Sequence, residues 1–154
     1  SERSRGLGDV YKRQVEILPM AKSENIGVIS YSPLGGGLLT GKYNIDNTSN
    51  KNSLGRLHDN SKYKKRYGQN WMYNAAIALQ KLASELNYDP IALAVAWVSH
   101  NDAITAPIIS ARNLKQLKPS LDSIKISLDE DAYKLISNIS PTPPPATDRL
   151  EEVQ

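Results

Sequence analysis

The densest chemistry in the chain lies in the run Tyr31-Ser-Pro-Leu-Gly-Gly-Gly-Leu-Leu-Thr-Gly-Lys-Tyr43. Gly35, Gly36 and Gly37 lack a Cβ, so the backbone there can approach a ligand closely and turn N–H groups toward an anion. Lys42 adds a point charge. Three glycines and a lysine suggest a phosphate-type site more than a plain loop does. Part of the run, Gly36-x-x-x-x-Gly41-Lys42, imitates the P-loop of nucleotide hydrolases. That motif needs Ser or Thr after the lysine to hold magnesium, and a helix that begins at once. Here Tyr43 and then a polar stretch follow, and Leu38-Leu39 put bulk where phosphate oxygens would sit. The P-loop reading is therefore disfavoured.

A second run, Ala106-Pro-Ile-Ile-Ser-Ala-Arg-Asn-Leu-Lys-Gln-Leu117, closes a strand-like segment and opens a helix-like one. Asn113 can cap that helix. Its N-terminus is an anion site in waiting, and Arg112 can meet a phosphate with two parallel hydrogen bonds. Taken alone, an arginine at a helix start is more often a solvated surface residue. Metal chemistry has little to draw on: there is no cysteine, and the two histidines, His58 and His100, stand far apart without ligand spacing.

The elements that must position these runs follow from periodicity. Val15–Glu24 is expected to be helical, with Asn25 and Gly27 as stop signals. Ile26–Tyr31 and Ile104–Ile109 are short, apolar and β-branched, the pattern of buried strands. Asn44–Tyr63 is polar and is expected to be a long loop. Asn70–Leu86 repeats apolar residues at Ala75, Leu79, Leu82 and Leu86, as an amphipathic helix does. Asp89-Pro90 supplies an N-cap and a first-turn proline for a helix over Ile91–His100. Asn113–Leu121 and Asp129–Ile139 are expected to be helices, the latter capped by Ser127 or Asp129. Pro141–Pro145 then ends regular structure, and Ala146–Gln154 is a polar tail.

Strands alternating with helices imply parallel pairing and an α/β class. Two strands cannot make a sheet buried on both faces. A (β/α)8 TIM barrel cut across its middle is one natural source of this pattern. Such a half would leave apolar surface uncovered, with Ile108 and Val95 among the candidates.

The 154 residues are 40% hydrophobic and 23% charged, a globular composition, with a net charge of +3. The longest purely apolar run, Ile91–Val98, is far short of a membrane span, and no secretory signal opens the chain. The expected location is cytoplasmic. Ser4–Gln14, SRGLGDVYKRQ, back-translates codon for codon to a transposase adaptor of short-read sequencing libraries. Residues 1–14 are therefore expected to be an artefactual segment, and residues 15–154 part of a longer polypeptide. The segment carries a net +2, which leaves +1 for the rest. A nucleic-acid or membrane role loses its main support.

Taken in order, YSPLGGGLLTGKY, Gly55-Arg56-Leu57, Ile91-Ala-Leu-Ala-Val-Ala-Trp97, PIISARNLKQL and Ala146-Thr-Asp-Arg-Leu-Glu-Glu152 resemble successive landmarks of aldo-keto reductases. The likeness is strongest to the bacterial oxidoreductase and potassium-channel β-subunit branch, and covers essentially all of Val15–Gln154. It implies the C-terminal half of a (β/α)8 barrel that moves hydride between a nicotinamide cofactor and a carbonyl. The cofactor implied is NADPH, with NADH as the alternative, and the partner is a small-molecule aldehyde or ketone.

By this resemblance Tyr31 ends the seventh barrel strand and stacks on the nicotinamide. Ser32, Pro33, Leu34, Gly35 and Gly36 line the pyrophosphate, and Lys42 pairs with it. Arg56 closes over the cofactor. Ser110, Arg112, Gln116 and Ser120 surround the adenosine 2′-phosphate and adenine. Ser110 stands where the family usually has Gly, Pro119 where some members have Glu, and Ser120 where many have Asn. The family's catalytic Asp, Tyr, Lys and His belong to the first half of the barrel, and nothing in Val15–Gln154 corresponds to them. The implied activity is reduction of aldehydes and ketones by a full-length parent, the catalytic residues lying outside this chain. The alternative is a cofactor-sensing binding subunit of the same fold.

Overall fold

A computed structural model describes residues 17–43, 57 and 60–141. The expected adaptor-derived segment, most of the polar loop, Arg56 and the C-terminal tail lie outside these residues. The order of elements is α1 (Leu18–Ser23), β1 (Ile29–Tyr31), a 3-10 turn (Gly35–Thr40), α2 (Ser61–Tyr67), α3 (Asn70–Glu85), α4 (Pro90–His100), β2 (Ala106–Ile108), α5 (Leu114–Asp122), a second 3-10 turn (Ser123–Lys125) and α6 (Glu130–Ser137). Strands and helices alternate as the α/β reading requires. β1 and β2 pair in parallel, with Ile29 opposite Ala106 and Tyr31 opposite Ile108. α2, α3 and α4 lie between them in the chain.

Local chemistry sets most helix ends. The Asp89 carboxylate accepts from the Ile91 and Ala92 amides at 2.8 and 3.3 Å, and Pro90 begins α4 without an amide to satisfy. Asn113 accepts from Gln116 N at 3.0 Å, and Asp129 from Ala132 N at 2.7 Å. Asp129, not Ser127, is therefore the cap of α6. α1 and α3 both stop at an asparagine with positive φ, Asn25 and Asn87. In each case the next amide reaches back five residues, Ile26 N to Ala21 O and Tyr88 N to Ala83 O, both at 2.8 Å. This is the Schellman arrangement, which uses up the carbonyls a helix end leaves over.

α4 is the centre of the molecule. Ala92 to Ala96 are all buried, because α3, α5, α6, both 3-10 turns and β2 surround the helix. Val95, expected at an uncovered face, is only 2% exposed for this reason. Around α4 lie two apolar clusters. One joins Leu38, Tyr43, Leu57, Tyr67, Met72, Tyr73 and Ala76. The other joins Leu79, Ala83, Leu93, Ala94, Ala96, Leu128 and Ile136. α6 docks on α4 through stacking of Tyr133 on Trp97, with ring centroids 5.8 Å apart, and through a 2.9 Å bond from Trp97 Nε1 to Ser137 Oγ.

The strands depart from expectation. Each is three residues long, and their apolar side chains are not buried: Ile29 is 65% exposed and Ile108 54%. The sheet has two strands among the described residues, and nothing there covers the face that carries these side chains. The polar stretch also departs, since Ser61–Tyr67 is helical. Asn60 caps it by accepting from Lys62 N at 3.0 Å, and Tyr67 supplies the buried anchor.

Candidate functional site

Because β1 and β2 are parallel and in register, the chain leaves both at the same end of the sheet. Residues 32–36 and residues 109–112 therefore start from one edge, where α/β proteins usually bind ligands. The first group forms a tight knot. Ser32 takes a φ of 56°, and Gly35, Gly36 and Gly37 follow with φ of 56°, 67° and 97°. Gly35 N donates to Ser32 O and Gly37 N to Leu34 O, both at 2.9 Å, and Thr40 Oγ1 donates to Gly37 O at 2.7 Å. The amides of Gly35 and Gly37 thus serve the turn itself and do not point outward as a cradle for an anion. This corrects the expected use of these two amides.

The glycines have a second reason to be there. A Cβ on Gly36 would stand 2.8 Å from Tyr63 Cδ1 and 3.0 Å from Tyr67 Cε2; one on Gly41 would stand 2.6 Å from Gln80 Oε1. Gln80 Nε2 in turn donates to Leu39 O at 2.9 Å and ties the turn to α3. Missing side chains here make room for neighbours within the fold as well as for any ligand.

Lys42 is exposed and folds back. Its Nζ lies 4.9 Å from the Tyr43 ring centroid and 3.5 Å from the point a Gly37 Cβ would occupy. The knot therefore carries a cation on its surface. Tyr31, at the strand end, is 43% exposed and Ser32, Pro33 and Leu34 are half-buried. Across the sheet end, Ser110, Arg112 and Gln116 are exposed. Gln116 Oε1 accepts from Arg112 N at 3.2 Å while Asn113 accepts from Gln116 N, a reciprocal cap that fixes the start of α5. Ser120 does not share this surface: it is 3% exposed, and its carbonyl takes the Ser123 hydroxyl at 2.7 Å. Arg56 lies outside the described residues.

The sequence reading missed the partner of the turn. Tyr63 and Tyr67, one helical turn apart on α2, have ring centroids 6.0 Å apart and cover Gly35 and Gly36. Burial pushes the Tyr67 phenol above the ordinary tyrosine value, against the opposing pull of Ser32 and Arg66 beside it. The Asn60 cap and the four-residue tyrosine spacing were the available signals. Behind the turn, a cavity of about 200 Å³ lies between sheet and helices, lined by Ser30, Leu38, Met72, Ala75, Trp97 and Ile136 among others. No Asp, Glu, His, Lys or Arg side chain lines it. Among the described residues no cluster of His, Cys, Asp or Glu could hold a metal, and no helix is long and apolar enough to cross a membrane.

The parallel βα arrangement has a counterpart among known proteins. Residues 10–141 match the model of the aldo/keto reductase family, and the chain belongs to that family. An uncharacterized oxidoreductase of Bacillus subtilis, YrpG, is 32% identical over 133 residues, covering 84% of this chain and 37% of that protein. The aldo-keto reductase yakc [NADP(+)] of Schizosaccharomyces pombe is 24% identical over 130 residues, covering 83% and 37%. In structure, the chain superposes on the glycerol dehydrogenase AKR11B4 of Gluconobacter oxydans with a TM-score of 0.64 at 30% identity, covering 82% of this chain and 38% of that one. The chain spans little more than a third of the length of the relatives it matches.

Proposed function

We propose that the chain is the cofactor-holding C-terminal part of a (β/α)8 aldo-keto reductase that reduces small aldehydes or ketones with NADPH in the cytoplasm. The observation that carries this reading is the shared sheet end. There the knot after β1, with Lys42 folded onto it, and the exposed Arg112 at the start of α5 both begin. One cation on each arm suits a ligand with two separated phosphate groups, the pyrophosphate and the 2′-phosphate of NADPH. A relative named for NADP(+) supports the choice of cofactor.

When bound, the nicotinamide supplies the hydride. The chain's own contribution is positional. Tyr31 offers an aromatic face at the strand end, Lys42 holds the pyrophosphate, and Arg112 and Gln116 meet the adenosine end. Arg56 and Ser110 complete the set proposed from the resemblance. Ser120 enters it only through the shape of α5, because its side chain is buried. By the resemblance, the acid that protonates the carbonyl oxygen is a tyrosine of the first half of the barrel, outside this chain.

The test is a pair of assays on the purified chain. It should quench or enhance NADPH fluorescence saturably, and it should oxidise no NADPH in the presence of a generic aldehyde. Turnover by the chain alone would overthrow the assignment of its residues to binding rather than chemistry.

A further inference from the structure

α5 is amphipathic in the reverse of the usual sense. Ser120, and Ser123 just after the helix, are buried, while Leu114, Leu121 and Ile124 face outward. Leu114 is 81% exposed and Ile124 86%. Leu117 lies between the two leucines, half-buried, and all three border a shallow groove together with Lys115 and Lys118. Steps of three and four residues put the leucines on one face of the helix. An apolar face left in water is unfavourable and marks a contact surface.

The place of α5 in the fold says what that contact is. A parallel sheet is covered on both faces, its helices lying between successive strands. α3 and α4 stand between β1 and β2 in the chain. α5 follows β2, the last described strand, and rests on α4 and the second 3-10 turn. Among the described residues no third strand continues the sheet. The chain also spans little more than a third of the relatives it matches. Self-pairing suits this face poorly. From Leu114 to Lys125 there are three lysines and one carboxylate, Asp122, which pairs with both Lys118 and Lys125. Two copies joined here would set lysines against lysines.

We propose that the outward face of α5, formed by Leu114, Leu117 and Leu121 and prolonged by Ile124, is the seam on which the strand-bearing remainder of the parent reductase packs. The proposal rests on the reading of the chain as part of a longer reductase and is independent of the individual cofactor contacts.

The experiment co-expresses this chain with a tagged part of Bacillus subtilis YrpG, the part outside the region the two proteins share, and measures how much chain copurifies. The variants are the double substitution Leu121→Gln with Ile124→Gln and, as a control, Ile77→Gln, which removes a similarly exposed apolar side chain from α3. Each chain is also purified alone for its unfolding midpoint, its mass by light scattering and an NADPH fluorescence titration. Wild type and Ile77→Gln should copurify, and the double variant should be recovered about tenfold less or worse, the effect of losing two buried apolar side chains. The midpoint and the NADPH affinity of the double variant alone should equal those of wild type. A lowered midpoint would assign the face to the chain's own core and overturn the proposal. A chain that dimerises alone, and is made monomeric by the double variant, would give the face to a second copy and overturn it too. Failure of wild type to copurify, with NADPH still bound, would overturn the seam and leave the cofactor reading standing. Copurification lost in the double variant, without NADPH binding by wild type, would uphold the seam and overturn the cofactor reading.

Discussion

Replacing Gly36 with alanine probes the knot where its geometry is tightest. The residue has a φ of 67°, a conformation that costs an L-amino acid about 1–2 kcal/mol relative to glycine. The new methyl would also lie 2.8 Å from Tyr63 Cδ1, closer than real carbon atoms approach, and a tight 3.0 Å from Tyr67 Cε2. Overpacking of this kind costs about 1–3 kcal/mol, and the half-buried Tyr63 ring can yield some of it. The two contributions together predict a loss of about 2–4 kcal/mol, read from urea unfolding followed by far-UV circular dichroism. Adding Tyr63→Ala separates them. In the double variant the clash with Tyr63 is gone and the strain in φ remains, so Gly36→Ala should cost at least about 1 kcal/mol less in that background. A cost under about 0.5 kcal/mol for Gly36→Ala alone, the size of an ordinary surface change, would refute the claim that α2 sits on the turn.

Other outcomes follow from the same contacts. Asp89→Ala should destabilise the chain by about 1 kcal/mol in the same urea assay, because two α4 amides lose their acceptor. Leu93→Ala, at a position with no exposed surface in the centre of the helical layer, should cost about 2–5 kcal/mol by calorimetry or urea. Burial raises the phenols of Tyr67 and Tyr133 above 10.0, so the fold favours their neutral forms; that stability is intact below pH 10.0 and is lost as pH rises through the raised values, which thermal melts across that range will show. Ile29→Lys and Ile108→Lys place charge at exposed positions of the sheet, on the face that no described residue covers, and should reduce self-association in light scattering without lowering the unfolding midpoint.

What the sequence made legible is local. Asp89, Asn113 and Asp129 cap helices through their own neighbouring amides, so their types and positions suffice to read them. Asn25 was readable as a stop because asparagine tolerates positive φ. The parallel relation of the strands followed from the helices between them. Their length and exposure did not, since Ile29 and Ile108 have the composition of buried strand residues and only neighbouring layers decide whether they are covered. Val95 failed in the opposite direction, because α4 is enclosed by elements distant in sequence.

At the site, the glycine run was read correctly as a special turn and incompletely as to cause. Gly36 accommodates Tyr63 and Tyr67, and Gly41 accommodates Gln80, contacts that span 27 residues or more and leave no mark in the motif. α2 was hidden by its polar composition: with four cations and a serine among its seven residues, its pattern resembles a solvated loop unless the two tyrosines are read as one face. Ser120 was placed by correspondence with a motif, whereas its burial is set by how α5 turns against α4.

The central claim is that this chain recognises a phosphorylated dinucleotide, with Arg112 reading the 2′-phosphate. The direct measurement is a fluorescence titration of the chain and its Arg112→Gln variant with NADPH and NADH side by side. Saturable binding of both is predicted, with Arg112→Gln weakening NADPH by about 1–3 kcal/mol and NADH by distinctly less. Equal losses for the two cofactors would contradict the 2′-phosphate role, and no saturable binding of either would contradict the account as a whole.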